Sequence, residues 1–369
     1  MLHLRRPNRS AWELGLRAAI GAGLALWIGT LIGLEDPYWG AVSAVVATAG
    51  TLGASLGAAV QRVAATTIAL VIGLGFAALP VNGVVVSATA VGVTYLVMIT
   101  LGLDAGARLA AASTLIVTAI PGTDALDLAL SRGLNVPLGC LIAVGVGVVV
   151  FPHRASTALR TGLHAGLAQG AAVAAAAVRA YVGDGNGGDA GGSPETAGAL
   201  AARVTRLEAA VASHRGVLRD AAREPGSARH LSGLEQLLSS DEELLDHARA
   251  LVGLAMSGAD DGAPVLVGDA LNRVAEAIDA VVPALAPEDA DGAAEMRAAS
   301  GPDGLQTALA ALDAAFAEVR RHRGTVEHST EELTRLLSVI RRVHGVGAAL
   351  ASVAPGDPRT DLGEPGRTT

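Results

Sequence analysis

The sequence lacks lysine altogether and holds one cysteine and nine aromatic residues among its 369 residues. The single cysteine, Cys140, excludes an intramolecular disulfide and a cysteine-based zinc site. Charge is scarce in residues 1–152, which contain seven arginines and six acidic residues. The rest of the chain contains twenty arginines and 29 acidic residues, so the net charge of −8 arises there. This acidic balance argues against nucleic acid as a partner, because phosphate binding needs a clustered basic surface.

Six apolar segments with almost no internal charge fill the first 152 residues: 14–34, 38–58, 63–80, 83–103, 106–121 and 134–151. Each approaches the ~20 residues that a helix needs to cross ~30 Å of hydrocarbon, although the fifth is short. A soluble bundle would require a polar face along each segment, and such faces are missing. We therefore predict an all-α integral membrane protein whose transmembrane domain of six helices covers residues 1–152.

The positions of the arginines predict the orientation of these helices. Alternate loops carry positive charge, and such loops stay in the cytoplasm. The arginines in question are Arg5, Arg6, Arg9, Arg62, Arg108, Arg154 and Arg160. Of the other loops, one carries Glu35 and Asp36, one carries Asn82 alone, and one carries Asp124 and Asp127, with Arg132 as the exception to the pattern. We expect a multi-pass protein of the bacterial inner (plasma) membrane with both termini in the cytoplasm.

Aromatic and small residues in the apolar segments have separate expected roles. Trp12, Tyr38 and Trp39 stand at segment ends, where amphipathic rings anchor a helix at the lipid headgroups. Glycines one helical turn apart, in 29–33 and 53–57, favour close approach of neighbouring helices.

Residues 153–354 have the apolar spacing of amphipathic helices, with leucines at helical intervals. This pattern predicts a cytoplasmic helical bundle, whose first helix reaches residue 182 as a continuation of the sixth membrane helix. A Gly-rich linker is expected at 183–195, and a disordered tail rich in Pro, Gly and charge at 355–369.

Sequence patterns give no support for an enzyme or a metal site. The one match to G-x-S-x-G, residues 53–57, lies inside an apolar segment and not at a strand-to-helix turn, and the Gly-rich stretch lacks the Lys and Ser/Thr of a phosphate-binding loop. None of the nine histidines lies in an apolar segment or shows ligand spacing with a carboxylate. We therefore expect no enzymatic activity, no cofactor and no bound metal.

The order of motifs resembles the fusaric acid resistance and aromatic acid exporter family in its single-repeat form. The relevant stretches are "LRAAIGAGLALWIG", "PYWGAVSAVVATAGTLGASLGAAVQRVAATTIALVIG" and "SRGLNVPLGCLIAVGVGVVVFPHRA". The positions that match the family pattern are Arg17, Tyr38, Trp39, Arg62, Thr66, Thr67, Gly73, Arg132, Gly139 and Pro152. The resemblance covers about the first 160 residues and leaves the second part of the chain without support.

The resemblance implies efflux of aromatic or lipophilic carboxylic acids, driven by the proton gradient. It also implies a homodimer or higher oligomer, because longer relatives carry two membrane repeats. Two alternatives remain open. Plant malate channels look similar in their membrane part, so the protein could be a passive organic-anion channel. It could also be a membrane-anchored interaction protein whose bundle carries the role.

Ionisable residues in or beside the membrane segments are the candidate site residues, because burying charge in lipid is costly. A guanidinium can hold a substrate carboxylate with two parallel hydrogen bonds. The candidates for substrate binding are Arg17, Arg62, Arg108, Arg132 and Asn135. Arg62 and Arg108 are expected at the inner ends of helices, where they would equally serve as topology markers. The candidates for proton coupling are Asp104, Asp36 and Glu13, with Asp104 also placed to pair with Arg108.

Overall fold

The structure, a computed structural model, describes residues 9–79, 83–119, 124–150, 152–183, 197–257, 265–285, 302–321 and 330–353. All regular elements within these ranges are helices. The chain forms two compact units. Unit 1 contains the described residues up to Ala155 together with Arg219–Ser227, and unit 2 contains Ser156–Leu218 and the described residues from Ala228 onward.

Unit 1 is built from six helices and the Arg219–Ser227 segment. The helices are α1 (Arg9–Leu31), α2 (Tyr38–Ala47), α3 (Leu52–Ala77), α4 (Gly83–Thr100), α5 (Asp104–Ala119) and α6 (Asp124–Val149). Helices α2, α3 and α6 pack against one another, α1 packs on α2 and α6, and α5 packs on α3 and α4. Their contacts are made mainly by alanine and glycine, whereas large side chains such as Val84 and Leu141 point outward. This inside-out distribution suits lipid, where small residues let helices approach closely.

Among the described residues, five helices are long and apolar enough to cross a membrane: α1, α3, α4, the Ala125–Val149 part of α6, and Ala155–Val182. The first four overlap predicted segments, and α5 coincides with the predicted fifth segment but has only 16 residues. The prediction of one continuous helix over 38–58 is wrong. Residues 48–51 separate the short α2 from α3, so the predicted set of six spanning helices is not reproduced.

The break between α2 and α3 has a local cause in the sequence. Thr48 is extended at the end of α2, and the Thr51 side chain caps α3 by accepting a hydrogen bond from the Ala54 N–H. The Ser55 hydroxyl accepts a hydrogen bond from the Ala49 N–H at 2.9 Å. These side chains form hydrogen bonds with backbone groups that lipid could not satisfy, so unit 1 can contain an interrupted helix.

Unit 2 is a helical bundle. Its helices are α7 (Ala155–Val182), α8 (Ala197–Ala222), α9 (Ala228–Ser257), α10 (Val265–Val281), a 3₁₀ turn at Val282–Leu285, α11 (Pro302–Arg321) and α12 (Thr330–Ala351). The first residue of α7 and the last turn of α8 belong to unit 1. Helix α7 contributes a buried stripe to the core: Leu159, Leu163, Leu167, Ala171, Ala174 and Val178. The apolar composition of α7 therefore suits a core position in the bundle as well as it suits lipid.

Helix α7 is separate from α6, so the prediction that it continues the sixth membrane helix is wrong. Helix α6 ends at Val149, and residues 152–154 are not helical. Pro152 lies in this interruption, where a residue without an N–H cannot extend the helix. The predicted linker from residue 184 onward and the predicted tail at 355–369 lie outside the described residues.

Candidate functional site: a buried arginine cluster

Three arginines of unit 1 are almost completely buried. The exposed fraction is 1% for Arg132, 5% for Arg62 and 3% for Arg17. A charged side chain at the centre of a membrane helix costs about 2.5–3.5 kcal/mol even by the lower scales. Such residues persist where function requires them, so their surroundings define the candidate site.

Arg62 lies deep in unit 1, and the expectation that it marks the inner end of a helix is wrong. Helix α3 begins at Leu52, not at residue 63. Ten residues at 1.5 Å each place Arg62 about 15 Å along the helix, roughly half of the hydrocarbon thickness. Helix α3 packs on α6, which carries Cys140 and Arg132.

Arg132 lies on α6 with its guanidinium over the ring of Trp39, 3.7 Å from the ring centroid. This cation–π contact fixes the plane of the guanidinium against α2. Two of its buried nitrogens, Nε and Nη2, have no hydrogen-bond partner among the residues that the structure describes. These two N–H groups form one edge of the guanidinium, the arrangement that a carboxylate accepts with two parallel hydrogen bonds.

Asn135, which is 0% exposed, lies one helical turn beyond Arg132. Its Nδ2 donates hydrogen bonds to the Glu35 carbonyl oxygen at 2.7 Å and to the Ser131 carbonyl oxygen at 2.9 Å. The Ser131 hydroxyl donates to the same Glu35 oxygen at 2.7 Å. The turn between α1 and α2 is thereby attached to α6, while Asn135 Oδ1 accepts no hydrogen bond within the described ranges.

Donors outnumber acceptors around the two arginines. Buried donor groups on α2 and α3 without a partner in the described part of the chain are Trp39 Nε1, Ser43 Oγ, Arg62 Nε and Thr66 Oγ1. Ser43 and Thr66 stand one turn beyond Trp39 and Arg62, on the same helix faces. We call Arg62, Arg132, Trp39 and Asn135 the buried arginine cluster. Its positive charge and spare donors favour an anion as ligand.

Acidic side chains do not neutralise the cluster. Arg62 and Arg132 are near enough for their charges to interact, and neither forms an ion pair with a described residue. Asp36 acts on Arg132 only at longer range. Asp36 adopts a left-handed backbone conformation, with a φ of 54°, in the turn just before α2. The structure thus brings together Arg62, Arg132 and Asn135, and places Asp36 at their edge.

Arg17 is not part of this cluster. It lies near the beginning of α1, whereas Glu35 follows the end of that helix. Its Nη1 donates to the Gly50 carbonyl oxygen at 3.4 Å, and its Nη2 lies 2.8 Å from His153 Nδ1. Arg17 therefore connects α1 with the α2–α3 break and with the segment before α7.

The remaining predicted residues lie apart. Asp104 and Arg108 are both exposed on α5, and the predicted ion pair between them is not formed. Glu13 lies 3.0 Å from Arg9 Nε and 3.4 Å from His153 Nε2. Trp12, at 69% exposed, faces outward as an interface anchor would.

The two adjacent aromatic residues at the start of α2 differ in their surroundings. Tyr38 is largely exposed, whereas Trp39 is half-buried with its indole N–H enclosed. The Trp39 ring also receives the Arg132 guanidinium, a contact that the sequence did not predict, and its role as a lipid anchor stays a prediction. Sequence reading also missed His153, which follows an apolar segment and has no ligand-like neighbours in the sequence.

The Arg219–Ser227 segment packs against the beginning of α3. A Cβ at Gly53 would lie 2.7 Å from the carbonyl carbon of Asp220, and a Cβ at Gly57 would lie 2.7 Å from Arg223 Nη1. Glu224, which is buried, accepts a hydrogen bond from the Ala155 N–H at 2.5 Å. The glycines of 53–57 thus contact this segment, which sequence spacing could not indicate.

Unit 2 contains a buried pair of titratable groups. His214 Nδ1 on α8 lies 3.2 Å from Asp241 Oδ2 on α9, and a Cβ at Gly166 of α7 would lie 2.8 Å from Asp241 Oδ1. Burial raises the pKa of the Asp241 carboxyl to about 6, although the hydrogen bond from His214 opposes this rise. The described residues contain no group of three or more His, Cys, Asp or Glu side chains that could hold a metal ion.

The sequence model of the fusaric acid resistance protein family matches residues 11–361, nearly the whole chain. The match extends through unit 2, beyond the 160 residues on which the resemblance was based. No curated protein matches the sequence.

Proposed function

The chain belongs to the fusaric acid resistance protein family, whose members are multi-pass membrane transporters, and we propose that it exports carboxylic acids through its buried arginine cluster. The substrate class is aromatic or lipophilic acids, and the driving force is the proton gradient. Membership of the family supports membrane transport and efflux. The substrate and the driving force are the proposed part.

The observation that carries the proposal is the free edge of Arg132. Its Nε and Nη2 are buried with no hydrogen-bond acceptor among the described residues, and none of the described carboxylates forms an ion pair with it. A substrate carboxylate would accept two hydrogen bonds along this edge, while the Trp39 ring holds the guanidinium plane. Arg62 would add a second positive charge, and Asn135 would keep the turn before α2 in place.

The cluster is enclosed in this conformation, since its arginines are at most 5% exposed. A substrate therefore reaches it only if α2, α3 and α6 separate on one side. Alternating access to an enclosed site is the general behaviour of transporters, and interrupted helices often accompany it. The break at residues 48–51 gives α2 the means to move independently of α3.

Proton coupling and oligomeric assembly are two further parts of the proposal. Asp36 is the acidic candidate whose charge acts on Arg132, so it is the first choice for a proton carrier there, ahead of Asp104 and Glu13. The protein is proposed to work as a homodimer or higher oligomer in the bacterial inner membrane, with its termini and unit 2 in the cytoplasm.

The test is efflux of radiolabelled fusaric acid, and of a panel of other aromatic carboxylic acids, from cells and from proteoliposomes. Arg132→Gln and Arg62→Gln should each reduce transport at least tenfold, because a hydrogen bond to a charged group contributes about 1.5–3 kcal/mol. Arg108→Gln is the matched control, since Arg108 is an exposed arginine outside the cluster and should leave transport unchanged.

Unchanged efflux in the two cluster variants, at normal membrane levels, would refute the assignment of the site. Flux that survives a protonophore and follows only the electrochemical gradient of the acid would instead identify a passive anion channel. A phenotype that depends on unit 2 with no flux in proteoliposomes would identify a membrane-anchored interaction protein.

A further inference from the structure

A second group of charged residues lies at the end of unit 1 where α1 begins, and it is centred on His153. Arg17 Nη2 lies 2.8 Å from His153 Nδ1, and Glu13 Oε2 lies 3.4 Å from His153 Nε2. The His153 backbone is also engaged, because its carbonyl oxygen accepts a hydrogen bond from the Leu52 N–H at 3.0 Å. One residue thus connects α1, the beginning of α3 and the segment before α7.

The contact with Arg17 determines which nitrogen of His153 carries the proton. A guanidinium has only donor N–H groups and does not lose its proton in proteins. His153 Nδ1 must therefore accept this hydrogen bond, which requires the neutral imidazole with its proton on Nε2. That Nε2 nitrogen is the one that lies near the Glu13 carboxylate.

We propose that His153 is a proton-responsive positioning residue of the transport cycle, whose protonation at Nδ1 breaks its hydrogen bond with Arg17. The proposal rests on the proposed function, since it supplies the transporter with a group that senses protons. A proton on Nδ1 turns the acceptor into a donor and sets two cations against each other. The hydrogen bond that links α1 to the segment before α7 is then broken, and loss of the proton restores it.

Protons have direct access to His153. Its side chain is 51% exposed, and it lines an open cavity of about 500 Å³ together with Arg9, Ser10, Glu13 and Pro152. Histidine is the side chain that ordinarily changes charge between about pH 5 and 8. A proton can therefore bind from solution and leave by the same route.

The charged groups around His153 act in opposite directions. Arg17 opposes the imidazolium, and Glu13 favours it. Arg9 lies 3.0 Å from Glu13 and weakens that attraction. From the α2–α3 break, the Gly50 carbonyl oxygen accepts a hydrogen bond from Arg17.

The neighbouring segment adds Arg154, which is exposed, and Glu224, which is bound to the Ala155 N–H. Protonation thus exchanges the Arg17 hydrogen bond for a stronger pair between His153 and Glu13.

The first test is hydrogen–deuterium exchange of the full chain in detergent at about pH 7.5 and pH 5.5, corrected for intrinsic rates. Peptides covering residues 11–20 and 48–55 should exchange roughly tenfold faster at the lower pH, because a hydrogen bond to a charged group is lost. His153→Asn offers a neutral acceptor to Arg17 and cannot take a proton, so its exchange should not respond to pH.

His344→Asn is the matched control, since His344 lies in unit 2 beside Asp313. This variant should keep the wild-type response. A pH-independent wild type, or an equal response in His153→Asn, would overturn the proposal.

The second test separates coupling from transport in proteoliposomes. His153→Asn should still exchange labelled for unlabelled acid at equal pH, but should lose accumulation driven by a pH gradient. Retention of gradient-driven accumulation in this variant would overturn the role of His153. If the wild type performs no exchange at all, the proposed function fails, and hydrogen–deuterium exchange still decides the proton response.

Discussion

Substitution of Gly139 by alanine tests the packing that holds the buried arginine cluster together. Gly139 lies on α6 against α2, and a Cβ there would lie 2.7 Å from the carbonyl carbon of Gly40 and 3.0 Å from its Cα. Carbon atoms pack best at about 3.5–4.0 Å, so the two helices would have to separate by about 1 Å. The obstructing atoms are backbone, which cannot rotate away.

The expected cost of Gly139→Ala is about 2 kcal/mol, typical of an extra methyl group in a packed interior. For a unit of this size, that cost lowers the melting temperature by roughly 4 to 8 °C. The separation would also move Trp39 on α2 away from Arg132 on α6, so transport should fall together with stability. Thermal unfolding in detergent, followed by tryptophan fluorescence, measures the first effect, and efflux of labelled acid measures the second.

Gly145→Ala is the control on the same helix. A Cβ at Gly145 has no neighbour within 4 Å among the described residues, and alanine favours a helix over glycine by about 1 kcal/mol. This variant should melt at or slightly above the wild-type temperature. If Gly139→Ala melts as high as Gly145→Ala with full transport, the close α2–α6 contact is not what supports the cluster.

Three further predictions concern other parts of the chain. Asp241→Asn should remove a pH dependence of stability, because the raised pKa of Asp241, about 6, means that the native state binds this proton more tightly than the unfolded state. Wild-type stability should therefore fall by about 2 kcal/mol as pH rises from 4 to 6, which denaturant titration would measure. Gly53→Ala should destabilise unit 1 by about 1–3 kcal/mol, whereas Gly75→Ala on the same helix should not, which thermal unfolding would show. Thr114→Val should cost about 0.6–1.7 kcal/mol in the same measurement, because Thr94 loses its buried hydrogen bond.

Each of these predictions has an outcome that contradicts it. A wild-type stability that is flat or rises between pH 4 and 6, with no change in Asp241→Asn, would mean that the carboxylate is not enclosed as described. If the Gly53 and Gly75 variants melt at the same temperature, the Arg219–Ser227 segment does not pack closely on α3. A Thr114→Val protein as stable as one with Thr89→Val, an exposed position, would show that the buried threonine pair contributes nothing.

Composition alone predicts the apolar segments, but it does not predict the break at residues 48–51 within the second of them. Thr51 is a good helix N-cap residue, yet threonine is also common inside membrane helices, where its hydroxyl bonds the preceding turn. The sequence of 38–58 therefore predicts one helix. Only the backbone shows that Thr48 is extended and that Thr51 starts a new helix.

Helix α7 shows the converse difficulty. Its length and composition suit a membrane span, and its side chains occupy the core of a bundle. Length and mean hydropathy cannot separate such an Ala-rich helix from one buried in lipid, whereas the amphipathic spacing of its residues predicts a place in the bundle. The assignment depends on which surfaces cover the helix.

The sequence identified the candidate arginines, but it did not predict which residues they contact. The cost of charge in lipid singled out Arg17, Arg62 and Arg132 from the sequence, and all three are buried. Their grouping was not predictable, because Arg62 and Arg132 are 70 positions apart and meet only through the packing of α3 on α6. Arg17 points to His153, 136 positions away.

The sequence alone determined that this is an all-helical membrane protein, because segments that cross lipid must be apolar, nearly free of charge and helical. The motifs of the first 160 residues indicated the exporter family. Tertiary structure alone decided that Trp39 faces Arg132, that two arginines share one enclosed space, and that His153 accepts a hydrogen bond from Arg17. These contacts depend on how closely neighbouring helices approach at their glycines. The distance between two helices is set by the packing of both, so one segment of sequence does not determine it.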